Sequence, residues 1–146
     1  MDLKECIAFA NETHVSYFAT YEGGQPRVRP LGLWFADENG FYFQSHAEKD
    51  LCKQMKEYNR VEACWYNPNI GSQMGTVLRV AGEVEFLSDL DLKKRVYEER
   101  SDIMKSYGLK THDDPRLVIF RIYKGVAFFW TPEYNLRESD IEIVKF

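Results

Sequence analysis

The sequence predicts a mainly β fold with flanking helices, its strands closing into a small barrel of about six to eight strands. Three observations predict it. Aromatic residues make up 15% of the chain, and Tyr, Phe and Trp favour strands because their rings pack well on a pleated surface. Segments with a hydrophobic period of two recur between turns rich in Gly, Asn and Asp. Only a few intervening segments carry a helical period. A chain of 146 residues has length for one core, so one domain over residues 1–146 is expected.

Taken in order, residues 2–11 place Leu3, Cys6, Ile7 and Ala10 on one stripe and read as a helix. Residues 13–21 (THVSYFATY) alternate and read as a strand. Glu22-Gly23-Gly24-Gln25 turns it into a second strand, 26–36, and Asp37-Glu38-Asn39-Gly40 leads to a third, Phe41–Ser45. Three strands joined in this way predict an antiparallel meander. A short helix is expected over 47–58, with Leu51, Met55 and Tyr58 on one side, then a strand at 60–66 and a loop from Asn67 to Gly75.

Residues 76–87 read as a long strand with Leu78, Val80, Val84 and Phe86 on one face, Arg79, Glu83 and Glu85 on the other. Gly82 inside it signals a bulge or a close backbone approach. Ser88-Asp89-Leu90-Asp91 opens a helix to about Tyr107 in the manner of a capping box, with Asp91 where Glu or Gln is preferred. Leu92, Val96, Ile103 and Tyr107 form its buried side. Beyond Asp114-Pro115, strands 116–123 and 126–131 are expected to turn at Lys124-Gly125, and the alternating tail 140–146 to add an edge strand.

Composition excludes several function classes. The formal net charge is −4, against nucleic-acid binding, and Lys93-Lys94-Arg95 lies on the solvated face of an amphipathic helix. No apolar run approaches the ~20 residues that span a bilayer, so no membrane contact is expected. The opening MDLKECIAFANE is acidic and amphipathic, unlike a signal peptide. Cys6, Cys52 and Cys64 are odd in number and widely spaced, which argues against a disulfide framework or zinc site and for packing thiols in a reducing cytoplasm. His14, His46 and His112 are too far apart for a local metal motif, and no metal is expected.

The chemistry concentrates at PRVRPLGLWF, residues 26–35. A period of two puts Arg27 and Arg29 on one face of a strand. The next segment of the meander, FYFQSHAEK (41–49), ends at a helix start with Ser45, His46 and Lys49. Unpaired N–H groups of a helix start, a hydroxyl, an ammonium and an arginine from the adjacent strand make a cradle for a phosphate. On the same residues, a solvated sheet face with Ser45 as a plain N-cap is the alternative. Neither a P-loop nor Gly-x-Gly-x-x-Gly is present. Glu83 and Glu85 have no evident facing partner and read as solvated.

The order of these segments resembles the FMN-binding split-barrel family, also called pyridoxamine-5′-phosphate-oxidase-like. The resemblance rests on the hairpin from Ala19-Thr20 to Arg29-Pro30, on Tyr42-Phe43-Gln44-Ser45 with Lys49, and on Val80-Ala81-Gly82-Glu83-Val84 with Leu87. It covers roughly residues 4–131, and the size is that of the small branch that includes nitroimidazole-resistance-type proteins. The resemblance implies a six- to eight-stranded antiparallel split β-barrel, homodimeric, with FMN between the subunits. It runs Arg27, Val28, Arg29, Pro30 and Leu31 along the flavin, the basic residue toward its phosphate or ribityl chain. It places Phe43, Gln44 and Ser45 beside ring and phosphate and Lys49 on the phosphate. Trp130 is a candidate for the second chain's contribution, or else barrel core.

The implied activity is an FMN-dependent oxidoreductase passing electrons from a reduced nicotinamide to a small acceptor, with no acid or base residue nominated. Departures qualify it. Glu48-Lys49 stands where the vitamin-type oxidases carry Arg-Lys, and Val77 where they carry a glutamine that meets the flavin. Their C-terminal substrate-binding segment has no counterpart before Phe146, so oxidation of vitamin B6 is not expected. The alternative class is a non-catalytic protein that stores or senses FMN or haem, His46 being the haem-ligand candidate if it does not simply cap. A deazaflavin reductase would need a broad basic groove, which the −4 balance disfavours.

Overall fold

A computed structural model describes residues 1–71 and 73–146. In chain order these form α1 (Leu3–Thr13), β1 (Val15–Glu22), β2 (Gln25–Gly32), β3 (Phe35–Asp37), β4 (Gly40–His46), α2 (Asp50–Glu57), β5 (Arg60–Asn67), β6 (Thr76–Leu87), α3 (Leu90–Glu99), α4 (Ser101–Ser106), β7 (Leu117–Trp130) and β8 (Val144–Lys145). All pairings are antiparallel in one sheet ordered β2-β1-β5-β6-β7-β4-β3, with β8 on β7. No helix of the described residues is long and apolar enough to cross a membrane.

The expected strand 26–36 is two strands, and the reason is closure. Leu33 N–H donates to His14 O at 2.9 Å, and the next amide, Trp34 N–H, donates to Tyr42 O at 2.8 Å. Successive amides thus satisfy acceptors at opposite ends of the strand order, and this two-residue step closes the sheet. β2 pairs with β1 and β3 with β4. The expected adjacency of 26–35 and 41–49 therefore holds only for Phe35–Asp37, and the arginine-bearing part lies at the other end of the order.

Inside, Phe43 packs edge-on to Phe18 at 5.1 Å and stacks on Phe120 at 5.4 Å between ring centroids. α1 covers one end of this core with Cys6, Phe9 and Ala10. Its start is held by a capping box in which Glu5 N donates to Asp2 Oδ1 at 2.9 Å and Asp2 N to Glu5 Oε2 at 2.8 Å. Asn11 then exchanges two hydrogen bonds with the Ala36 main chain. α3 and α4 cover the outer face of β4 with Val96 and Met104 against Trp34, Tyr42 and Ile119. The single helix expected up to Tyr107 breaks at Arg100, where φ is −126° and ψ 43°, and its cap is Asp89, which accepts from Leu92 N at 2.9 Å.

No turn occurs at Lys124-Gly125; β7 runs through it. Val84 pairs with Ile122 but Glu83 with Lys124, which leaves Tyr123 as one extra residue on β7. The bulge inverts the facing parity of the strand. Phe120 and Ile122 point inward before it, Ala127 and Phe129 after it, and that change of phase is what reads as two strands. Beside the bulge Gly82 faces Gly125. A Cβ on Gly82 would strike Lys124 O and come within 2.9 Å of Gly125 Cα, and one on Gly125 would strike Ala81 O. The close approach expected at Gly82 is present. The tail adds only Val144–Lys145 as β8.

Overpacking costs about 1–3 kcal/mol where side chains can yield, and here the obstacle is main chain. Gly125→Val is expected to lower the unfolding free energy by about 3 kcal/mol in a denaturant titration. A loss below about 1 kcal/mol would show that the two strands are not in contact.

Candidate functional site

Arg29 stands opposite Phe18 and Arg27 opposite Thr20 in the β1–β2 hairpin. Phe18 and Thr20 are buried, so both arginines lie on the barrel side of the ribbon. Arg29 is half-buried and held. Its Nη1 donates to Thr20 Oγ1 at 2.7 Å and its Nη2 to Gln54 Oε1 of α2 at 2.7 Å. β2 is therefore joined to α2 through side chains, not to β4 through main chain. Arg27 has 51% of its side chain exposed, and among the described residues its guanidinium bonds only to Glu22, at 3.4 Å. Burial pulls the Arg29 pKa down, with Asp50 opposing, and the guanidinium remains a cation at neutral pH.

The neighbours of Arg29 on β2 diverge. Val28 and Pro30 point outward, Val28 with 69% exposure, while Leu31 packs against the core. On β4, Phe43 is not at a surface: its ring is enclosed by Phe18, Phe120 and Trp65, so it shapes the barrel and offers no face to a ligand. Ser45 shares its side and lies by the Cys52 thiol of α2, whose pKa burial pushes up. Gln44 faces the other way, toward the Tyr107 hydroxyl at the end of α4. Ser45 Oγ and Gln44 Oε1 are both buried without a well-formed hydrogen bond, an arrangement that proteins rarely leave unexplained.

α2 starts later than expected, and Lys49 is its N-cap residue, with no side chain bonded to the cap. The first N–H groups of the helix and its positive dipole end are thus open to an anion. Lys49 Nζ lies 5.2 Å from the Tyr107 ring centroid. His46 is committed to the corner, its Nδ1 accepting from Glu48 N at 3.2 Å and its ring edge-on to Tyr107. Trp130 ends β7 opposite Val77, half-buried and outside both core clusters, with Nε1 donating to Glu138 at 3.3 Å. The described residues hold no His, Cys, Asp or Glu cluster fit for a metal.

Sequence reasoning missed Gln54, Thr20 and Tyr107 as members of this site. The signal for Gln54 was available: it sits beside Leu51 and Met55 on the apolar stripe of α2, where a polar residue is unexpected. Thr20 entered only as part of the hairpin motif and Tyr107 only as a buried helix residue.

Closure of one antiparallel sheet by a two-residue step makes this a split-barrel protein. The sequence profile described as pyridoxamine 5′-phosphate oxidase matches residues 3–127, and the chain belongs to that family. Among solved structures it is similar to a NimC/NimA family protein from Clostridium acetobutylicum, with 28% identity and TM-score 0.77 over 99% of this chain and 93% of that one. It is also similar in fold to a pyridoxamine 5′-phosphate oxidase-related, FMN-binding protein from Nostoc punctiforme (15% identity, TM-score 0.71, 99% and 94% covered). A third is HutZ, the haem storage protein of Vibrio cholerae (14% identity, TM-score 0.62, 84% and 90% covered). No curated protein matches the chain in sequence.

Burial raises the Tyr107 pKa above its ordinary 10.0, and the nearby Gln44 side chain only partly offsets it. The protonated hydroxyl is thus favoured in the folded chain. Its contribution to stability is complete below pH 10.0 and is lost as pH rises through the folded value. Denaturant titrations on either side of about pH 10 should show this decline, and Tyr107→Phe should flatten it.

Proposed function

We propose that this protein binds FMN and acts as an oxidoreductase, moving electrons from a reduced nicotinamide to a small acceptor. The observation that carries the reading is the corner between β4 and α2. A buried Ser45 hydroxyl without a well-formed hydrogen bond lies at the start of a helix that no side chain caps. Lys49 and the half-buried Arg29 supply cations from two elements. This donor set fits a phosphate monoester, which needs N–H and O–H donors together with positive charge. Arg29 stands in for the cation that Glu48 does not provide.

When bound, FMN supplies the redox chemistry, and the protein supplies anchoring, orientation and shielding. β2 ends the strand order, so main-chain groups along its free edge are available to the polar rim of a heterocycle. The outward face of β1, β2 and β5 carries exposed Val15, Tyr17, Tyr21, Val28 and Tyr66. An apolar patch of this kind suits a second copy of the chain, and we assign the homodimer to it, with Trp130 completing the partner's site. The three free cysteines suit a reducing cytoplasm.

The family match and the FMN-binding description of the Nostoc relative support flavin. Haem has the fold likeness to HutZ, but His46 is spent on the corner and is only 9% exposed. FMN titration followed by flavin fluorescence tests the reading. Lys49→Ala is expected to weaken binding about tenfold, the size of one charge-assisted hydrogen bond, and Lys94→Ala to leave it unchanged. Equal losses would refute the cradle. A colourless protein whose melting temperature ignores excess FMN would remove flavin altogether, and a Soret band would favour haem. Rapid-mixing reduction by NADH or NADPH then tests turnover.

A further inference from the structure

Gln54 is 4% exposed, at a position on α2 where an aliphatic side chain would bury more simply. Its amide instead makes three hydrogen bonds. Oε1 accepts from Thr20 Oγ1 at 2.5 Å and from Arg29 Nη2 at 2.7 Å, and Nε2 donates to Glu22 Oε2 at 2.9 Å. Arg29 Nη1 closes a triangle by donating to Thr20 Oγ1 at 2.7 Å. The other oxygen of Glu22 accepts from Arg27 Nη2 at 3.4 Å. Oxygen toward two donors and nitrogen toward a carboxylate leave one orientation for the amide.

The choice of an amide has an electrostatic meaning. A neutral acceptor fixes a guanidinium without cancelling its charge, whereas a carboxylate would pair with it. Glu22 is the nearby carboxylate, and the network turns it to Arg27 and to Gln54 Nε2. Asp50 is the other carboxylate within electrostatic reach of Arg29. It lies one helical turn before Gln54, in the first turn of α2. The guanidinium is therefore held along that turn, with Nε and one Nη2 hydrogen outside the bonds to Thr20 and Gln54.

We propose that Gln54 is a positioning residue that holds Arg29, and not Arg27, as the cation bonded to no carboxylate that faces the phosphate of the flavin cofactor at the start of α2. This rests on the FMN reading above. Arg27, exposed and paired with Glu22, then contributes little to phosphate binding.

The test compares dissociation constants for FMN and riboflavin, read by flavin fluorescence, in wild type, Gln54→Leu, Gln54→Glu and Arg27→Met, with thermal melts to establish folding. Wild type should prefer FMN. Gln54→Leu is expected to weaken FMN about tenfold and riboflavin less than about twofold. Gln54→Glu, nearly isosteric, should weaken FMN further because its carboxylate pairs with Arg29 and repels Glu22. Arg27→Met should change FMN affinity less than about twofold. The ³¹P resonance of bound FMN should move in the Gln54 variants and not in Arg27→Met, which a purely structural role would not produce. Equal weakening of FMN and riboflavin, or an unchanged preference in both Gln54 variants, overturns the inference while the cofactor reading stands. If Gln54→Leu does not fold, Gln54→Glu alone decides by the same criterion. A wild type that binds neither flavin, or does not prefer FMN, overturns the cofactor reading and the inference with it.

Discussion

β6 and β7 run against each other along most of their length, and at Gly82 and Gly125 their main chains touch. Neither position can carry a Cβ without striking the opposite backbone. The contact lets the two longest strands stay paired while β7 takes in one extra residue, Tyr123. That residue matters because a strand presents alternate faces. Without the inversion, Ala127 and Phe129 would point outward while Phe120 and Ile122 point inward, and half of the β7 contribution to the core would be lost. With it, one strand serves β4 along Leu117–Ile122 and β8 at Val126 and Ala127.

The position of the site follows from this wall and from the closing step at Leu33 and Trp34. Because β7 carries β4 on one side and β6, β5 and β1 on the other, β2 and β4 end up far apart in the sheet order. Arg29 of β2 still reaches α2, because α2 lies across β1 and offers Gln54 to Thr20 and Arg29. A buried polar network is costly when incomplete and rigid when satisfied. Here the triangle of Thr20, Gln54 and Arg29 is bonded on all three sides, and Ser45 Oγ and Gln44 Oε1 on β4 are two of the four buried side-chain atoms without a hydrogen-bond partner among the described residues. The held Arg29 and the unbonded Ser45 hydroxyl both lie by α2, and the proposed phosphate cradle rests on that combination.

Much of the local structure was legible in the chain before any contact was known. The hairpin from Val15 to Gly32, the close approach at Gly82 and the corner at Ser45–Lys49 each depend on residues near in sequence, through turn chemistry and period. The break at Leu33 and Trp34 was not legible, because both residues continue an apolar strand pattern and only their acceptors, His14 O and Tyr42 O, reveal the step. The continuity of β7 was hidden for the opposite reason: a bulge shifts the phase of the pattern just as a turn does, and Gly125 fits either.

The sequence by itself determined the class of fold and the residue types of the proposed anion cradle, because these are written in short-range spacing and composition, and its motifs carried the resemblance to the family. Only the tertiary structure decided which arginine is held, that Phe43 belongs to the core, and that Gln54 links α2 to the hairpin. These outcomes depend on register and on closure of the sheet, which bring together groups 25 and 34 residues apart. No periodicity within one segment encodes which distant segment it will meet.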